Sequence, residues 1–272
     1  MNDKIKDVAN AVLLMEQYLN ENVQENKLWK NTYINEQIVK RKQGGNFELS
    51  DHIRAMVYSM LSSRTEWAKI QPHIESGEID KIFCNFHSDK LLQCKSEELL
   101  DQLKEIRCAS LSTRKQMKAL LDVNIETLCK IEDTYNGIDN FYQQIVSIDG
   151  TYKNLLLLLA NKDSLYKLRE MDTPLVAEYL RNVGYDLCKP DRHICRILGC
   201  EVLGCSDKKD VPIYETFDIV SAIANELGKS IAEVDYILWS YCAKGYGGIC
   251  TIDGKKCSDC IVKKYCLKEK EN

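Results

Sequence analysis

Apolar residues recur three and four positions apart along most of the chain, which is the spacing of one buried face of an α-helix. Ile5, Val8, Val12, Met15 and Leu19 mark a first helix from about Lys4 to Asn20. Leu28, Trp29, Tyr33 and Ile34 mark a second, broken by the polar turn RKQGGN at Arg41 to Asn46. Ile53, Met56, Val57, Met60 and Leu61 line a third, from about Glu48 to Ser62. Ser96 with Glu97 and Glu98 predicts another helix start, because a hydroxyl cap and early carboxylates both satisfy the free N–H end; it runs on through Leu99, Leu103 and Ile106. No run alternates with the period of a strand, and there are only four prolines, so an all-α chain is expected. The stretch from about Asp122 to Tyr152 receives no assignment.

Ser164 to Leu198 reads as a helix, a tight turn at Met171 to Thr173, and a second helix with Pro174 at its first position. Gly184 ends that helix, and a third begins after PDRH with Asp191 at its N-terminal end, where a carboxylate is electrostatically welcome. Ser-Ile-Ala-Glu at Ser230 to Glu233 is a capping box that opens a helix carrying Ile237, Leu238 and Trp239.

With 272 residues the chain can bury a sizeable core as one large or two small domains. Its net charge of −4 provides no global positive field, so any nucleic-acid contact has to come from local basic patches. The apolar run Leu155 to Ala160 is far too short to span a membrane. Thirteen cysteines, an odd number, follow an N-terminus whose charges leave no room for a secretory apolar run. An intracellular, cytoplasmic and reduced protein is therefore expected.

Four of those cysteines, Cys250, Cys257, Cys260 and Cys266, fall in CTIDGKKCSDCIVKKYC with the spacing C-x6-C-x2-C-x5-C. Soft thiolates so close together suit an iron–sulfur cluster or a tetrahedral metal ion. Zinc ribbons bring two C-x2-C knuckles across a longer loop, whereas a single knuckle between two isolated cysteines favours a [4Fe-4S] cluster. Zinc, and free surface thiols, remain the competing readings. Cys242 reads as a spare thiol near the centre, and Cys188, Cys195, Cys200 and Cys205 as small apolar side chains.

The cysteine spacing, the order helix, turn, helix before Gly184, and the sequence PDRHICRIL together resemble the helix-hairpin-helix DNA glycosylases, in the branch of endonuclease III and adenine glycosylase. The resemblance spans roughly Glu48 to Cys266. It implies two helical lobes: a helical-barrel domain holding the helix-hairpin-helix over 48–188, and an iron–sulfur domain built from 1–47 and 189–272. Duplex DNA carrying a damaged or mispaired base would lie in the cleft between them, with Asp191 at its mouth, and the protein would act as a monomer. Asp191 matches the catalytic aspartate and His193 the histidine beside it. Arg64, in the SSRTEW that ends the third helix, matches a position that enters the gap left by an extruded base, and Leu111 one that wedges into the duplex. Arg114, Lys115, Lys118, Lys167, Arg169, Lys255 and Lys256, with Lys263 and Lys264, are the implied phosphate contacts.

Three departures from that pattern bear on activity. Leu175 stands where the bifunctional branch has a lysine that forms a Schiff base, so the implied enzyme is monofunctional; Lys167 and Lys189 are the nearby amines. Tyr58 stands near the position of the adenine-specific glutamate. The Gly-x-Gly turn is replaced by Met171, Asp172 and Thr173, and Asp172 would repel a phosphate. The resemblance therefore leads first to a DNA N-glycosylase of base-excision repair. The alternatives are a non-catalytic binder of DNA lesions on the same scaffold, and a redox sensor that does not use DNA.

Overall fold

The structure is a computed structural model that describes residues 2–148 and 150–267. Among the described residues fifteen α-helices follow one another without a strand, so the chain is all-α as its periodicity predicts. They are α1 (Asn2–Asn22), α2 (Tyr33–Lys42), α3 (Leu49–Leu61), α4 (Trp67–Glu75), α5 (Glu78–Ile82), α6 (Ser88–Leu91), α7 (Ser96–Glu105) and α8 (Thr113–Ala119). There follow α9 (Ile125–Tyr135), α10 (Ile138–Ser147), α11 (Lys153–Ala160), α12 (Thr173–Asn182), α13 (Arg192–Leu198), α14 (Ile213–Leu227) and α15 (Ile231–Cys242).

The chain divides into two compact units, one formed by residues up to Val39 together with those from Gly184 onward, the other by Lys40–Val183. The junctions thus lie a few residues before the expected 47/48 and 188/189. Hydrogen bonding gives the reason. Arg41 already belongs to the middle unit, since its guanidinium donates to the Val183 carbonyl at 2.7 Å and to Asp139 at 2.7 Å. Asp186 and Lys189 belong to the terminal unit, through Ala232 N–H to Asp186 at 2.9 Å and Lys189 N–H to Asp235 at 2.9 Å.

In the terminal unit, Val8, Val12, Met15 and Leu19 of α1 interleave with Val220 and Ile223 of α14 and with Ile237, Leu238 and Tyr241 of α15. Ile194, Ile197 and Leu198 carry α13 into the same core. The Ser230 hydroxyl accepts the Glu233 N–H at 3.2 Å, so the cap expected for α15 forms.

The middle unit is built on α3, whose residues from Ala55 to Leu61 are all buried. It packs on α12, where the Ser59 hydroxyl donates to the Leu175 carbonyl at 2.6 Å and the Asn182 amide to the Ala55 carbonyl at 3.3 Å. A polar network runs through this core: fully buried His52 sits 2.7 Å from the Tyr179 hydroxyl, which lies 3.0 Å from that of Tyr142, and the other ring nitrogen of His52 is 3.4 Å from Asp139.

Three local expectations are corrected and one open stretch is filled in. Leu28 and Trp29 lie in or beside short 3-10 turns, Glu25–Lys27 and Trp29–Asn31, and the second helix begins only at Tyr33. Ser96 is the first helical residue of α7 and its hydroxyl caps nothing, Lys95 holding the cap position. In the unassigned stretch, a π-turn at Leu120–Asn124 leads into α9 and then α10, which ends at Ser147. Finally, Ser164–Glu170 is a chain of turns instead of the first limb of a hairpin. Lys167 N–H bonds back to Ser164 at 3.3 Å and Leu168 N–H to Leu159 at 3.0 Å, while Glu170 takes a φ of +58° that no right-handed helix accepts.

Candidate functional site

Asp191 sits at the N-cap of α13, and one carboxylate oxygen accepts the N–H groups of His193 at 2.8 Å and Ile194 at 3.1 Å. This is the ordinary work of a capping aspartate. Its other oxygen has no partner among the described residues, so the carboxylate is fixed in direction while one oxygen stays available. His193 is held beside it with Nδ1 buried and without a hydrogen-bond partner. Burial pushes the His193 ring below its ordinary basicity, against the pull of Asp191. The ring is therefore a neutral neighbour of the carboxylate at neutral pH.

The other end of α13 reaches the cysteine run. The Arg196 guanidinium donates to the Cys250 thiol at 3.3 Å and also to the Cys250 carbonyl. Buried Cys242, through its hydrogen bond, and then Arg196 pull the Cys250 thiol down to about 5, against the opposing effect of burial. Cys242 is pushed up in turn, again chiefly by its bond with Cys250. Tyr241 donates its hydroxyl to Cys260 at 3.4 Å. A seven-residue helix thus has Asp191 at its head and, about one and a half turns on, the cation that donates to Cys250.

Cys250, Cys257, Cys260 and Cys266 line one cavity of about 150 Å³, closed on the core side by Met15, Ile197, Leu203 and Tyr241. Among the described residues no three Cys, His, Asp or Glu side chains converge on a point that a single ion would occupy. A tetrahedral zinc site draws its sulfurs to about 2.3 Å from one centre. The four thiols around this cavity are the side chains that could hold an iron–sulfur group or a metal ion. Lys255, Lys256 and Lys263 are exposed at the rim of the same cavity.

In the middle unit the two residues expected to probe a duplex lie on neighbouring loops. Arg64 is exposed and held at a φ of +59°, a left-handed conformation uncommon for a residue with a side chain. Leu111 is 90% exposed, the reverse of what an apolar side chain normally does. Ser112 donates to Ser63 at 3.4 Å, which makes the loops carrying Arg64 and Leu111 neighbours. Ser110 N–H to Thr113 at 2.8 Å keeps the second loop tight.

The expected cations fare differently. Lys115 is exposed, but Arg114 is paired with Glu97 at 2.6 Å. Lys167 is half-buried, turned in to donate to the Met171 carbonyl, and burial lowers its basicity. Arg169 is exposed, and its backbone is clamped both ways by buried Asn124, at 2.7 and 3.0 Å. Leu175 is 9% exposed, an apolar core residue where an amine would be needed for covalent chemistry. Asp172 caps α12 by accepting the Leu175 N–H at 3.3 Å, so a protein carboxylate already occupies the helix end that a phosphate would use. Two side chains bonded to the cysteine run were not singled out from the sequence. Arg196 was legible as the residue five beyond Asp191 on the same helix, whereas the Tyr241 bond to Cys260 has no local signal.

The fold is similar to a solved structure from Methanocaldococcus jannaschii, an 8-oxoguanine glycosylase/lyase in complex with a 15mer DNA containing 8-oxoguanine, with a TM-score of 0.53. The likeness covers 83% of this chain and 95% of that one at 18% sequence identity. The two proteins share a fold. No family model matches the sequence, and no curated protein matches it either. No helix among the described residues is long and apolar enough to cross a membrane.

Proposed function

We propose that this protein is a DNA N-glycosylase of base-excision repair that extrudes a damaged base from duplex DNA and cleaves its N-glycosidic bond with the help of Asp191. The observation that carries the reading is the state of Asp191, fixed at the head of α13 through one oxygen and unpartnered at the other. Cleavage of the glycosidic bond builds positive charge on the sugar, and a carboxylate held in place stabilises it or directs the attacking water. Arg64 and Leu111, on neighbouring loops, would enter the space vacated by the base. The similarity in fold to a protein solved with lesion-containing DNA supports the same reading.

Leu175 supports a monofunctional enzyme, because a buried leucine cannot attack the sugar and form a Schiff base. Cys250, Cys257, Cys260 and Cys266 would hold a [4Fe-4S] cluster. Once bound, the cluster would crosslink the C-terminal run and supply a redox-active centre there. Base release is assigned to Asp191 alone. Lys255, Lys256 and Lys263 would meet phosphates from the rim of the cavity.

A second reading, lesion binding without excision, is favoured by one observation: Asp172 fills the phosphate position at the head of α12. A base-release assay on duplexes carrying oxidised, deaminated and alkylated bases separates the two, with strand cleavage scored independently. The glycosylase reading expects release of at least one such base without borohydride-trappable enzyme on DNA. Binding to lesions with no release across the panel would favour the second reading, and a trapped Schiff base would overturn the inference from Leu175.

A further inference from the structure

Cys84 and Cys94 belong to the middle unit and take no part in the site described above. Their sulfurs lie 3.8 Å apart, in van der Waals contact, and a disulfide needs them at about 2.05 Å. Both are half-buried, so a small oxidant reaches them, unlike fully buried Cys108. Cys84 opens a turn of three successive residues in the left-handed region, at φ of 52°, 52° and 60° for Cys84, Asn85 and Phe86. The short helix α6 then returns the chain, and Cys94 follows it, its thiol also reaching the Lys90 carbonyl at 3.5 Å. Burial first, and then Cys84, push the Cys94 thiol above its ordinary range.

We propose that Cys84 and Cys94 form a modification site, a thiol pair that peroxide closes into a disulfide. One thiolate attacks a peroxide oxygen, breaking the O–O bond and giving a sulfenic acid and hydroxide. The second thiolate attacks that sulfur and releases a second hydroxide. The two thiols lose two electrons and two protons, and hydrogen peroxide leaves as two waters. The bond fastens a segment that buttresses α3, since the Phe86 ring packs edge-on to Tyr58 at 5.9 Å and under the Arg54 guanidinium at 5.2 Å.

The test is peroxide treatment of the full chain, alkylation of the remaining free thiols, and peptide mass spectrometry before and after dithiothreitol. The expected product is a Cys84–Cys94 crosslinked peptide lacking two hydrogens, reversed by dithiothreitol and absent from both Cys84→Ser and Cys94→Ser. The oxidised wild type should also melt about 3–8 °C above its reduced form, a shift that Cys84→Ser does not show. Persistence of both thiols in the alkylated state while other cysteines oxidise would overturn the proposal. So would a main product joining either one to Cys129, which is also half-buried. The cysteine count in the wild-type peptides is read without relying on either variant to fold.

Discussion

Leu111 isolates the proposed DNA contact from stability more cleanly than any other residue. A leucine that is 90% exposed contributes almost nothing to the core, so Leu111→Ala should leave the melting temperature unchanged. If it wedges into the duplex, the same change should lower base release by about tenfold, or ~1.4 kcal/mol. Unaltered release would remove Leu111 from the site. At this scale the sequence was informative where a residue type suits its position, as with the aspartate heading α13, whereas Leu111 was singled out by the family resemblance alone. It was least informative for cations, because a lysine or arginine reads the same whether it faces solvent or a partner. Lys167 turns in to the Met171 carbonyl and Arg114 binds Glu97, and neither pairing leaves a mark on the local pattern.

Helices carried by periodicity were legible to within a few residues, as α1, α3 and α15 demonstrate. The elements that escaped are those decided by tertiary partners. Ser164–Glu170 has helical composition, yet Asn124 clamps the Arg169 backbone, and the chain turns there instead. The end of α13 is fixed by a close approach of a similar kind. A Cβ built on Gly199 would lie 1.9 Å from the Lys209 carbonyl oxygen, a backbone atom that cannot step aside. Gly199→Ala should therefore destabilise the protein by ~1–3 kcal/mol in urea unfolding. Because α13 joins Asp191 to Cys250, the same variant should also bind iron less completely; normal stability would show that the loop after α13 yields freely.

The whole molecule should be acid-sensitive. Burial holds His52 below its ordinary pKa, so the folded state resists a proton that the unfolded chain accepts near pH 6.5. Stability from this neutral histidine is therefore complete above that value and is lost as pH falls toward the folded pKa. Asp139 acts in the same direction lower down: although burial opposes it, His52 and Arg41 depress its pKa, and that stabilisation goes as pH falls through the acidic range. The melting temperature should decline from pH 7 to pH 5, and His52→Gln should flatten the decline; a flat wild-type profile would contradict this. The four thiols have their own check, since protein prepared without oxygen should be brown with about four irons per chain, whereas stoichiometric zinc would contradict the cluster.

The role of Asp191 separates catalysis from architecture, because asparagine caps a helix about as well as aspartate but carries no charge. Purified Asp191→Asn and wild type should be compared for single-turnover base release, on whichever lesion the wild type excises, and for melting temperature. A catalytic Asp191 predicts equal melting temperatures and a loss of release of at least about a hundredfold, the scale of one electrostatic group in a transition state. Release by Asp191→Asn at the wild-type rate would contradict it.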